Sequence, residues 1–139
     1  VETTPEHRLV ILEDTAEIQC AAENHVILHT TDTVDMGRLL KSTMRLRPDR
    51  IIVGELRGSE ALTYLEAINT GHGGSVSTIH AETAELAIDR LAIMVLQAGT
   101  PLTFAEVREY IRKSIDVIVQ LGRADGRRGI TEFYLPVNE

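Results

Sequence analysis

Three short stretches hold the residues whose types and spacing could do chemistry. The first is Glu13-Asp14-Thr-Ala-Glu17, three carboxylates directly after the apolar run Leu9-Val-Ile-Leu12. The second is Ile51-Ile-Val-Gly-Glu-Leu-Arg57, where an apolar run ends in a glycine, then Glu55, then Arg57 two residues on. The third is Gly71-His72-Gly-Gly-Ser-Val-Ser-Thr-Ile-His80, with histidines on either side of a short apolar segment. Carboxylates at the carboxyl ends of parallel strands share one crevice, where they can hold Mg²⁺ through water or orient a nucleophilic water beside a phosphate. Glu13, Asp14 and Glu55 suit that chemistry. Each also has a plainer role: Glu55 in a solvated turn, Asp14 as a helix cap. Gly54 and the glycines around His72 would let backbone approach a ligand, and His72 and His80 could donate to phosphate oxygens. Spaced eight apart across a strand, these two histidines are poorly placed to share a metal.

Cations gather near the second stretch, at Arg45, Arg47, Arg50 and Arg57. One of Arg45, Arg47 and Arg57 could simply pair with Glu55 or Asp49, or Arg45 or Arg57 could reach a terminal phosphate, within one chain or across a subunit boundary. Sequence leaves both open. His25 and His29 flank a short strand and read as structural. Cys20 has no activating neighbour and reads as an inert thiol.

The elements that must carry these residues alternate. Strand patterns at 8–12, 26–28, 51–53 and 75–79 are separated by helical patterns at 34–46 and 58–69, with Asp32 or Thr33 as cap of the first and Gly71 closing the second. Leu62, Leu65 and Ile68 form the second helix's expected inner side. A helix over 83–97 turns Leu86, Leu91, Met94 and Val95 inward and stops at Gly99. Thr103-Phe-Ala-Glu106 is a capping box opening a helix with Val107, Tyr110 and Ile111 inward. Alternation then changes to period two around Asp125-Gly126. This predicts a hairpin with one buried face, carrying Ile115, Val117, Val119, Leu121, Thr131, Phe133, Leu135 and Val137. The fold class is therefore α/β with a largely parallel sheet, the hairpin forming an antiparallel edge.

Bulk properties bound the function. The 139 residues are 43% hydrophobic and 25% charged, as in a globular domain. A net charge of −7 argues against a general or sequence-specific grip on nucleic acid. One cysteine excludes a disulfide framework and fits a reducing, cytoplasmic setting. No apolar run is long enough to span a membrane.

Taken together, the Leu12–Glu17, Leu46–Arg57 and Asn69–His80 motifs resemble the Asp box, Walker B and His box of the type II/type IV secretion ATPases, in that order. Within that superfamily the resemblance is to the VirB11-like branch and its conjugal-transfer members of the TrbB type. Glu-Asp-Thr stands where pilus-motor relatives usually carry Glu-Asp-Pro, and there is no four-cysteine insertion. The resemblance implies a partial RecA-like P-loop NTPase domain, a homo-hexameric ring with ATP and Mg²⁺ between subunits, and docking on an inner-membrane secretion or conjugation apparatus from the cytoplasmic side. It implies that Glu13 polarises water or sits near the metal, and that Glu55 is the Walker B carboxylate. Arg45 and Arg57 would face phosphate. Asp14, Gly54, His72 and His80 would line the nucleotide. The family's phosphate loop, Gly-x-x-x-x-Gly-Lys-Ser/Thr, is not among these residues. The expectation is a carboxyl-terminal half without its first strand, phosphate loop and amino-terminal domain, inactive alone. Rivals are a non-catalytic ring-assembly module and a type II secretion or pilus-retraction motor.

Overall fold

The computed structural model describes residues 4–136, which divide into two compact units at Ile79/His80. The first holds a four-stranded parallel sheet in the order β2-β1-β3-β4. Its centre is β1 (Leu9–Glu13), buried at every position: Leu9 to Leu12 form the apolar run expected of a central parallel strand, and Glu13 is buried at its end. β2 (His25–His29) pairs with β1 on one side, Val10 opposite Val26. β3 (Arg50–Val53) pairs on the other, Val10 opposite Ile51. β4 (Val76–Ser77) adds two residues to β3, fewer than the 75–79 expected from sequence.

Between β2 and β3 runs α1 (Met36–Thr43), burying Met36, Leu39, Leu40 and Thr43. Its cap is Asp35, whose side chain accepts the Arg38 amide at 2.8 Å, and not Asp32 or Thr33. A backbone bridge between Thr31 and Val34 closes residues 31–34 into a turn, which delays the helix. Its last turn tightens to a 3-10 turn (Met44–Leu46) that leaves Met44 exposed and ends at Arg47 in the left-handed conformation, φ 51°. α2 (Glu60–Asn69) buries Ala61, Tyr64, Leu65 and Ala67, so its inner face is rotated from the expected stripe. Burial raises the Tyr64 phenol above its ordinary pKa. Gly71, at φ 110°, ends the helix where an L-residue would be strained.

In the second unit, α3 (Ala84–Leu96) is capped by Thr83 and buries Ile88, Leu91, Met94 and Val95. Leu86 lies off that stripe and is exposed, contrary to expectation. α4 (Phe104–Ser114) has both halves of the capping box, and buries Val107 and Ile111 but only half-buries Tyr110. α3 and α4 pack together, with the Glu85 carboxylate between Arg108 and Arg112.

The hairpin β5 (Ile118–Ala124) and β6 (Arg127–Tyr134) is a separate two-stranded sheet, not an edge of the parallel one. Asp125 and Gly126 both take positive φ at its turn, the geometry a tight hairpin needs. Its polar face is the anchored one. Gln120 donates to Ala81 O at 3.1 Å, and the Tyr134 hydroxyl donates to Glu85 Oε2 at 2.9 Å. The apolar face expected to be buried is open: Leu121 and Phe133 are 68% and 67% exposed. Val137 lies outside the described residues.

Candidate active site

Because β1 and β3 are parallel neighbours, their carboxyl ends set Glu13, Asp14 and Glu55 side by side. Gly54 makes the close approach workable. Its amide donates to Leu12 O at 2.8 Å, and an added Cβ would lie 3.4 Å from that oxygen and 3.6 Å from Glu13 Cγ. From the opposite side the Thr78 hydroxyl donates to Gly54 O at 2.6 Å, while the Leu56 amide donates to Thr78 O at 3.0 Å. The backbone around Glu55 is thus pinned on both flanks.

Arg57 closes the group. Its Nε and Nη2 lie 2.7 and 2.6 Å from Glu55 Oε2, and its Nη1 lies 3.3 Å from Asp14 Oδ2. The hydrogen bond to Glu55, then Glu55's charge, raises the guanidinium above its already high pKa, and Asp14 adds to this. Arg57 is therefore a fixed cation between two carboxylates. Its loop is held by Glu60 Oε1, which accepts the Arg57 and Gly58 amides at 2.7 and 3.0 Å. Asp14 Oδ1 accepts the Thr30 hydroxyl at 2.8 Å.

Glu13 differs from its neighbours: its residue is 3% exposed. Oε1 accepts the amides of Glu17 at 3.1 Å and Ile18 at 2.7 Å, so the carboxylate organises the loop that follows it. Oε2 is buried, 3.5 Å from His29 Nε2.

Two expected site residues lie elsewhere. α1 leaves the carboxyl end of β2 and returns to the amino end of β3, so the 3-10 turn carrying exposed Arg45 sits at the opposite edge of the sheet. The Arg8 guanidinium, just before β1, donates to Leu46 O at 2.8 Å, which fixes that location. His72 precedes β4 and shares the same far edge. Its Nδ1 is 2.8 Å from Ala67 O, and Gly74 beside it packs on the Arg50 guanidinium at the start of β3. Four or five strand residues separate the two edges, roughly 13–16 Å. In a parallel sheet, a turn before a strand and a turn after it cannot meet, so His72 does not adjoin the carboxylate crevice. His80 follows β4 by three residues and opens the second unit, near Glu82, Leu86 and Arg90.

Sequence reasoning passed over Thr30, Thr78 and Glu60, and set His29 aside as structural. The signal for His29 and Thr30 was present: β2 is also parallel, so its polar end belongs to the same edge. Among the described residues no three His, Cys, Asp or Glu side chains form a metal cluster. The oxygen donors of Asp14 and Glu55 do fit Mg²⁺, which binds through one or two carboxylates with water and phosphate as the remaining ligands.

A family model described as "Type II/IV secretion system protein" matches residues 1–134. The chain belongs to this family. It is 58% identical over 132 residues to the conjugal transfer protein TrbB of Rhizobium radiobacter, covering 95% of this chain and 40% of that protein. It is 36% identical over 135 residues to the type IV secretion system protein VirB11 of Bartonella quintana, covering 91% of this chain and 38% of that one. Among solved structures, the VirB11 ATPase of the Brucella suis type IV secretion system, in complex with sulphate, matches with a TM-score of 0.89 at 35% identity, covering 96% of this chain and 41% of that chain. The chain is thus a VirB11-like member of the secretion ATPases, similar to TrbB, and spans about 40% of the length of these relatives. No described helix is long and apolar enough to cross a membrane.

Proposed function

We propose that these residues form the hydrolytic edge of a VirB11-like ATPase that powers type IV secretion, conjugative transfer or pilus assembly. The supporting observation is the Glu13, Asp14, Glu55 and Arg57 group at the carboxyl edge of a parallel sheet, where an open α/β sheet binds its ligand. The reaction is phosphoryl transfer to water, which depends on positioning and charge stabilisation.

In this reading Glu55 is the Walker B carboxylate, orienting the attacking water and, with Asp14, holding Mg²⁺ through water. When bound, Mg²⁺ would offset negative charge on the phosphates. Arg57 holds Glu55 and Asp14 together and is the cation on this edge placed to face phosphate. Gly54 shapes the turn, its amide already engaged by Leu12. Glu13 acts from behind the edge, fixing the loop that carries Asp14, and meets water only if that loop opens. Arg45, at the far edge, serves a phosphate only across a subunit boundary, which fits a homo-hexameric ring with sites between copies. His72 locks a turn, and His80 is the histidine proposed to sense the terminal phosphate. The ring would dock on secretion or conjugation proteins at the cytoplasmic face of the inner membrane.

The test is Glu55→Gln in the intact protein. ATP turnover should fall by at least about 100-fold while ATP binding stays within a few-fold of wild type. Steady-state turnover at the wild-type rate would remove Glu55 from the mechanism.

A further inference from the structure

The end of β2 brings two polar residues, His29 and Thr30, to the same edge, beside Glu13 and Asp14 at the end of β1. The parallel register sets His29 opposite Glu13, so the two side chains share one face of the sheet. Thr30 follows. Its amide donates to Glu13 O at 3.0 Å and its hydroxyl to Asp14 Oδ1 at 2.8 Å.

The Glu13 carboxylate is unevenly satisfied. Oε1 takes two amide donors, from Glu17 and Ile18. Oε2 is buried with no hydrogen-bond partner among the described residues. A buried carboxylate oxygen without a donor costs free energy on the scale of a lost hydrogen bond to a charged group. The group aimed at it is His29 Nε2, at 3.5 Å, one small side-chain rotation from hydrogen-bond distance. The His29 side chain is 40% exposed, so the ring covers Oε2 while its other edge meets solvent. Any form of the imidazole with a proton on Nε2 can donate here.

We propose that His29 and Thr30 are a positioning pair for the hydrolytic edge: His29 holds Glu13, Thr30 holds Asp14, and together they set where Asp14 meets Arg57 and Glu55. Neither touches the nucleotide. The kinetic part of this proposal rests on the ATPase reading above. Its structural part does not, because the Glu13 brace can be read without nucleotide.

The experiment uses the intact protein with His29→Phe, His29→Gln and Thr30→Val. His29→Phe keeps the ring's volume and removes the donor. It should lower kcat for ATP about tenfold with KM and melting temperature near wild type, because a shift of about an ångström in a positioned group costs one to two decades in rate. His29→Gln, whose amide can donate from a nearby point, should recover most of that loss. Thr30→Val should lower kcat in the same way. By amide hydrogen exchange, His29→Phe should also lose protection at Glu17 and Ile18, which Glu13 no longer holds. Unchanged protection at both amides would overturn the brace, whatever the turnover. Wild-type kcat in His29→Phe would overturn the positioning role, as would equal loss in both His29 variants with a lowered melting temperature. Absence of turnover in wild-type intact protein would count against the ATPase reading, and the exchange result would then decide the brace alone.

Discussion

At the scale of single residues, Arg57 decides how the edge should behave. It carries contacts to Glu55 and Asp14, yet its side chain is 64% exposed, so solvent screens both pairs. Arg57→Ala should therefore leave the melting temperature near that of wild type while lowering turnover of the intact protein sharply. Calorimetry beside an ATPase assay checks both, and a large stability loss with unchanged turnover would make the arginine purely structural. Gly54→Ala should do the reverse at first, destabilising by about 1–3 kcal/mol in urea titrations, because its Cβ would lie 3.4 Å from the Leu12 carbonyl oxygen on a strand buried on both sides. The acidic residues and Arg57 were readable in sequence because their types and their position after apolar runs carry the signal. The bond from Thr30 to Asp14 spans sixteen residues, and no local pattern encodes it.

Among the elements, α4 is the one whose start is specified most fully by local chemistry. The Thr103 backbone hydrogen bond, then the Thr103 hydroxyl, lowers the Glu106 pKa. A depressed folded-state pKa means stability that is complete above the unfolded value of about 4.3 and fades as pH falls through the lowered folded value. The stability gap between wild type and Glu106→Gln should therefore narrow on acidification below about pH 4.3, as urea melts across that range would show. Thr103→Ala, which removes the cap itself, should cost about 1 kcal/mol at neutral pH. The capping box was legible because it lies within four residues. The start of α1 was not, since the Thr31–Val34 bridge moved the cap to Asp35. The buried face of α2 was also misplaced, because what packs against a helix selects its inner face among several near-equivalent stripes.

For the whole molecule, the hairpin is the clearest departure from expectation. Alternation correctly marked its strands and its Asp125-Gly126 turn, yet could not say which face would be covered. Glu85, Ala81 and Arg112 hold the polar face, so Leu121 and Phe133 point outward. Leu121→Ser with Phe133→Ser should change the stability of this 139-residue chain by no more than about 0.5 kcal/mol while reducing its binding of a hydrophobic dye. A larger loss would show that these side chains are buried in solution. By itself the sequence determined the α/β class, the strand-end carboxylates, the capping box at Thr103 and the family, because each is written in local periodicity or in a contiguous motif. Sequence also anticipated Glu13, Asp14 and Glu55 in one crevice, but tertiary structure decided which other residues join them. Strand order and direction put Glu13, Asp14, Glu55 and Arg57 on one edge, sent Arg45 and His72 to the other, and brought His29 and Thr30 in beside the carboxylates. In a parallel sheet, the side on which a loop lies depends on whether it enters or leaves a strand, and its neighbours depend on pairing between segments far apart in the chain.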